Sequence, residues 1–219
     1  MNTGLPTHLR EIRRALMAMS AVVDERSGVA LDCLDQADFA AAESIRHGDR
    51  EVDERELEIE RMCIEALALH APVAGDLRTL LATLRINSEL ERLADLAKSI
   101  GKRILHLDRL GYLTTPEVMR RMARTVRAMI ASTFDALSRN DADLAREVRA
   151  NDAQVDEFQR IILDWTHNEL LKTESPANEA AVDLLTIAKN LERMGDMCTN
   201  IAEDIIYMVD GEIVRHTRV

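Results

Sequence analysis

The chain contains two copies of one unit. Leu90-Glu91-Arg92-Leu93-Ala94-Asp95 recurs as Leu191-Glu192-Arg193-Met194-Gly195-Asp196 at an offset of 101 residues, and Asp49-x-x-Val52-Asp53-Glu54 recurs as Asp152-x-x-Val155-Asp156-Glu157 at an offset of 103. The second match runs outward through Leu34, Asp38, Ala42 and Arg46 against Leu137, Asp141, Ala145 and Arg149. A duplication this long confines the fold to two like units of about half the chain each, well beyond solenoid-repeat size. The change of offset puts a two-residue deletion between the motifs, most naturally in a turn.

Each unit reads as helical. Aromatic residues are only 3% of the chain, while Ala, Leu, Arg and Glu abound, a bias toward helices over sheets. The breaks are few: Pro6, Ala71-Pro72, Gly111 through Pro116, Ser175-Pro176 and Gly211. With Asp38 and Asp141 as N-caps, they predict six helices near 7–36, 38–70, 73–108, 116–139, 141–172 and 177–209. The last shows the clearest stripe, Leu184, Ile187, Leu191, Met194, Cys198, Ile201, Ile205 and Met208 stepping by three or four. The expected fold is all-α: two tandem, pseudo-symmetric three-helix bundles, residues 7–108 and 116–211.

Charge and cysteine usage narrow the function. A formal net charge of −11 disfavours nucleic acid and anionic membrane, which need a basic footprint, and favours cations or basic protein surfaces. Cys33, Cys63 and Cys198 are odd in number and lack C-x-x-C spacing, so neither a disulfide framework nor a zinc site is indicated and a reducing cytoplasm fits. No signal-peptide pattern opens the chain and no apolar run is long enough to span a bilayer.

The repeated acids are the candidate site. Residues four apart share a helix face, so Asp49/Asp53, Glu91/Asp95, Asp152/Asp156 and Glu192/Asp196 are four vertical pairs flanking the core stripe. In an antiparallel hairpin, equal distance from the turn means equal height. Asp53 is level with Glu91 and Asp49 with Asp95 about Pro72; Asp156 is level with Glu192 and Asp152 with Asp196 about the Ser175-Pro176 turn. Like charges at this spacing repel by about 0.2–0.5 kcal/mol per pair, which a cation offsets. The all-oxygen set suits Mg²⁺, Ca²⁺, Mn²⁺ or ferric iron and not structural zinc. A simpler reading also accounts for the charge: Arg46, Arg50, Arg92, Arg149 and Arg193 each stand three residues before one of these acids, the spacing of intrahelical ion pairs.

Other polar residues carry less. His47 reads as a solvated surface residue, and Asp164-x-x-His167 stands alone where a ferritin-like centre needs two Glu-x-x-His motifs. Ser99 and Asn200, one turn beyond Asp95 and Asp196, are candidate additions to the oxygen ligands. Met17, Met19, Met119, Met122 and Met129 read as core filler. No phosphate loop, nucleophile elbow or Ser/His/Asp arrangement occurs.

Taken together, the Asp-x-x-Val-Asp motif of each half, Pro72 with Asp76-Leu77-Arg78, the two Leu-Glu-Arg motifs, Asp196-x-Cys198-x-Asn200-Ile201, Tyr207-x-Val209-x-Gly211 and Arg215-His216 resemble the PhoU family over residues 8 to 216. The resemblance implies a cytoplasmic, non-enzymatic negative regulator of phosphate uptake and of the starvation response. It implies action with the phosphate ABC transporter and a PhoR-type sensor kinase, and a homodimer. It also implies metal, iron foremost, on Glu91/Asp95 and Glu192/Asp196 with Asp49/Asp53 and Asp152/Asp156 opposite. One departure is Ala94 where the family pattern has the glycine kept at Gly195, which puts close helix approach at the first site in question. Two other readings stay open: clustered metals hydrolysing phosphoesters, and a metal-free helical adaptor.

Overall fold

In the computed structural model, residues 4–36, 42, 49–111, 115–167 and 177–215 are described. They form α1 (Leu5–Gln36), α2 (Asp49–His70), α3 (Ala74–Arg109), α4 (Glu117–Arg139), α5 (Ala142–Ala150), α6 (Asp152–Trp165) and α7 (Ala177–Asp210). Among the described residues there is no strand. The all-α expectation and its internal repeat hold: α1 to α3 make the first unit and α4 to α7 the second. Asp38 and His47 lie outside the described residues, as does the side chain of Asp49.

The second unit departs from prediction at one place. The helix expected over 141–172 is broken at Asn151, which separates α5 from α6. Asp152 thus opens a helix, where the positive end of the helix dipole favours an acid; Asp49 holds the same position in α2. The predicted N-cap at Asp141 is present, its Oδ1 accepting from Leu144 N at 2.9 Å. Before it, α4 ends on Asn140 in the left-handed conformation, with Asp141 N donating to Ala136 O at 2.9 Å.

At the α2–α3 turn, Ala71 and Ala74 both have positive φ, 45° and 48°, on either side of Pro72-Val73. Neither has glycine's freedom there, a strain of about 1–2 kcal/mol each. His8 of α1 and His70 of α2 close this end, ring nitrogens 2.9 Å apart.

The two units share a single apolar core. Leu80, Ile86, Leu90, Leu93 and Ile100 of α3 are buried, as are Leu184, Ile187, Leu191, Met194 and Ile201 of α7. Burying each such side chain contributes about 1.5–3 kcal/mol. Met19, Met119, Met122 and Met129 are buried and Met17 packs against them, as expected of filler. α3 and α7 run antiparallel in constant register: Arg85 meets Asp204 at 3.3 Å, Ser99 meets Asn190 at 2.9 Å, and His106 meets Asp183. These contacts recur at heptad multiples, the repeat of a long helix–helix seam. α1 and α4 form a second seam, crossed by the Asp24–Arg127 pair at 2.5 Å.

Candidate metal centre

Val52 and Val155 anchor the acidic rows. Both are buried, on the core side of the helices that carry the acids. In the second unit, Asp152 and Asp156 of α6 face Glu192 and Asp196 of α7. The carboxyl of Asp196 is pushed up to about 6, first by burial and then by Glu192, Asp152 and Asp156. Glu192 is raised by burial and by Asp156 and Asp152. Asp152 is raised by burial and Asp156, opposed by a hydrogen bond from Thr199 Oγ1 at 3.4 Å. The structure therefore brings all four predicted acids of this unit within electrostatic reach of one another.

The first unit repeats the pattern with a variation. Glu91 is raised by burial, then by Asp95, Glu56 and Asp53. Glu56 was not legible as part of this group, since its counterpart in the duplication is Gln159 and a search for repeated acids passes over it. Its own carboxyl is raised by burial, Glu60 and Asp53, while its backbone carbonyl takes a 2.9 Å hydrogen bond from Asn87 of α3.

Three of the arginines preceding these acids have other partners. Arg50 pairs with Glu54 at 2.6 Å, Arg92 with Glu89 at 3.4 Å and Arg149 with Glu203 at 3.3 Å. These three guanidiniums lie on acids outside the candidate set, whereas Arg193 lowers the carboxyls of Glu192 and Asp196, so intrahelical pairing offsets part of the charge in the second row; Arg46 lies outside the described residues.

Two expected additions fall elsewhere. Ser99 accepts from Asn190 at 2.9 Å and Asn200 bonds to Glu89, both at the α3–α7 seam. A step of four residues from Asp95 or Asp196 turns about 40° one way round the helix, whereas a step of three turns about 60° the other way. Thr199, three on from Asp196, is the residue that reaches the acidic row. Asp164 and His167 are both exposed.

The donor set is wholly oxygen and its carboxylates repel one another, which is the chemistry a hard cation answers. Among the described residues, no three His, Cys, Asp or Glu side chains stand close enough to enclose an ion. The faces are open rows that match a cation in charge and donor type without forming a closed cage. The glycine question is answered at Gly195: a Cβ there would lie 3.4 Å from Val155 Cγ1, an ordinary contact. An alanine such as Ala94 is therefore compatible with this helix spacing.

Fold and site together define an all-α protein made of two like helical units, the second with its middle helix divided at Asn151, each with an acidic groove. The chain belongs to the PhoU family: the PhoU domain matches residues 16–104 and again 119–205. It is 32% identical over 210 residues to the phosphate-specific transport system accessory protein PhoU homolog of Pseudomonas putida, spanning 95% of this chain and 81% of that one. The protein of the same name from Caulobacter vibrioides is 33% identical over 93% of this chain and 89% of its own. The fold matches the crystal structure of PhoU from Pseudomonas aeruginosa with a TM-score of 0.88 at 29% identity, covering 95% of this chain and all of that one. The phosphate transport system regulatory protein PhoU from Streptococcus pneumoniae matches at 0.85 and 26%, covering 96% and 99%. No helix among the described residues is long and apolar enough to cross a membrane.

Proposed function

We propose that this chain is a non-enzymatic accessory regulator of a phosphate-specific transport system, holding down phosphate uptake and the starvation response. The observation that carries this reading is the PhoU domain match to both repeats, joined to relatives named as accessory proteins of phosphate-specific transport along nearly the whole chain. The protein works by contact, as a cytoplasmic homodimer at the inner face of the membrane. One partner is the phosphate ABC transporter on its ATPase and permease side; the other is a PhoR-type histidine kinase. Its acidity directs it to basic protein surfaces and away from nucleic acid.

In this reading the acidic grooves are metal sites. Asp49, Asp53, Glu91 and Asp95 hold metal in the first unit, and Asp152, Asp156, Glu192 and Asp196 in the second, with iron the first candidate and manganese, magnesium or calcium behind it. A bound cation supplies positive charge where carboxylates repel. The chain's own residues do the rest: Val52 and Val155 orient the rows from the core, Thr199 steadies Asp152, and the paired helices present one clamped surface to a partner.

Metal content of protein purified without added metal, measured by mass spectrometry beside the Glu91→Ala/Asp95→Ala and Glu192→Ala/Asp196→Ala variants, tests the sites. Stepwise loss in the two variants is expected; equal metal in all three would overturn the assignment. Deletion of the gene tests the regulation. A starvation reporter switched on in phosphate-rich medium is expected, and a silent reporter would overturn it.

A further inference from the structure

A stripe of apolar side chains runs along the solvent face of α2. Among the described residues, five of the ten exposed large apolar side chains fall on α2, its turn and the first turn of α3: Leu57, Ile64, Leu69, Val73 and Leu77. Leu57 and Ile64 are 61% and 54% exposed. They stand about two helical turns apart, and Ala68, also exposed, follows one turn on. The buried residues of α2, Val52, Ile59, Cys63 and Ala66, lie about half a turn round the helix from this stripe, so the core leaves it uncovered. The fold does not require apolar residues here: in the duplication the equivalents of Leu57, Ile64 and Leu69 are Arg160, His167 and Lys172. The second unit exposes Ile161 and Leu163, but residues two apart diverge by about 200° round a helix and make no stripe.

The stripe is bordered by negative charge. α2 carries eight carboxylates and three arginines. All three arginines pair within the helix, Arg50 with Glu54 at 2.6 Å, Arg55 with Glu51 at 3.0 Å and Arg61 with Glu65 at 3.3 Å. Glu58 and Glu60, on opposite sides of the stripe, make no ion pair among the described residues. Glu58 also borders a cleft of about 260 Å³ between α1 and α2, whose lining includes His8, Glu11, Met62 and Glu65. Glu11 likewise makes no ion pair among the described residues.

We propose that this face of α2 docks an amphipathic helix of a partner protein, its apolar stripe on Leu57, Ile64 and Ala68 and its flanking Lys or Arg side chains on Glu58, Glu60 and the cleft at Glu11. Apolar residues at heptad spacing between charged flanks are the form in which one helix receives another, and the flanking charges set which helix is accepted. A second copy of this chain, meeting the same face across a two-fold axis, would set these acids against themselves. A basic helix gains where that copy is repelled. Docking here rests on the reading of the chain as a regulator that works by contact, and needs no metal in the grooves.

The probes are two synthetic helical peptides of about five turns, each with leucine at the heptad positions, one flanked by lysine and the other by glutamate. They are titrated against the full chain by fluorescence anisotropy. The lysine peptide should bind and the glutamate peptide should not. Leu57→Ser/Ile64→Ser should weaken the lysine peptide by about tenfold or more, and Glu58→Lys/Glu60→Lys should do the same. All four positions are exposed, so the circular dichroism spectrum should be unchanged. In cells, Leu57→Ser/Ile64→Ser at wild-type abundance should switch on the starvation reporter. Equal affinity for the two peptides, or a lysine-peptide affinity unmoved in the apolar variant, would overturn the proposal. A dimer that dissociates in that variant by sedimentation would also overturn it, by placing a second copy on the face. A reporter silent in the variant but on in the deletion would sink the docking surface and leave the regulatory reading intact; a silent deletion would sink that reading instead.

Discussion

Arg85 of the first repeat reaches Asp204 of the second at 3.3 Å, and that carboxylate is only 2% exposed. Arg215 adds a second guanidinium at 2.6 Å from beyond the end of α7, so one buried acid ties both repeats and the C-terminal segment together. Asp204→Ala leaves two half-exposed arginines without their common partner. Because both can regain water, the expected loss is about 1–3 kcal/mol rather than the larger cost of stranding a buried charge. Urea unfolding monitored by circular dichroism checks it; an unchanged midpoint would show the tie to be idle.

The acidic groove of the second unit predicts a change of sign. In chelated protein, Asp196→Asn removes a carboxylate that Glu192, Asp152 and Asp156 repel and should stabilise by about 0.5 kcal/mol. With metal supplied, the same substitution removes a ligand and should reduce the metal-dependent rise in melting temperature. Thermal melts with and without chelator distinguish the two. A single direction of effect under both conditions refutes the groove as a metal site.

The same carboxyl gives a pH dependence. Its folded value, about 6, lies above its ordinary 3.8, so the folded state binds this proton more tightly than the unfolded chain does. The associated stability is fully present below about pH 4 and is lost as pH rises through about 6. Chelated wild type should therefore lose more stability between pH 5 and pH 7 than chelated Asp196→Asn, measured by urea midpoints at each pH. Parallel profiles for the two proteins would contradict this.

Burial holds the thiols of Cys63 and Cys198 in the protonated form, pushed up to about 12, and Cys33 is buried beside the core. Because the thiolate is the reactive species, none of the three should react with an aromatic disulfide reagent in native protein at neutral pH, and all three should react in denaturant. Rapid native labelling of one equivalent would indicate local opening of the core.

Two glycines should respond oppositely to alanine. At Gly195 the added methyl meets Val155 at a normal distance and helix propensity favours alanine by up to about 1 kcal/mol, so Gly195→Ala should be neutral or stabilising. Gly211 has φ +77 and its Cβ would lie 3.3 Å from Arg78 Cζ, so Gly211→Ala should cost about 1–2 kcal/mol. Melting temperatures of the two variants settle the comparison.

Much of this molecule was legible in the chain because the relevant information is local and written twice. Helix periodicity is a property of successive residues, so Leu184 to Met208 revealed a buried stripe without reference to any neighbour. In the second unit the repeated acids came within electrostatic reach of one another, because a hairpin converts sequence distance from its turn into height. The break at Asn151 was missed although Asn151-Asp152 joins two residues that favour helix ends over helix interiors.

The sequence by itself determined the duplication, the all-α class, the apolar stripes and the pairing of Asp152/Asp156 with Glu192/Asp196. Only the tertiary structure decided that α3 and α7 join the repeats in register. The same packing sent Ser99 and Asn200 to that seam rather than to the acids, drew Glu56 into the first groove, and made Arg85, Arg215 and Asp204 neighbours at the seam. The reason is physical: periodicity states which residues share a face of one helix, but the rotation of that face against another helix is set by non-local packing of the whole core.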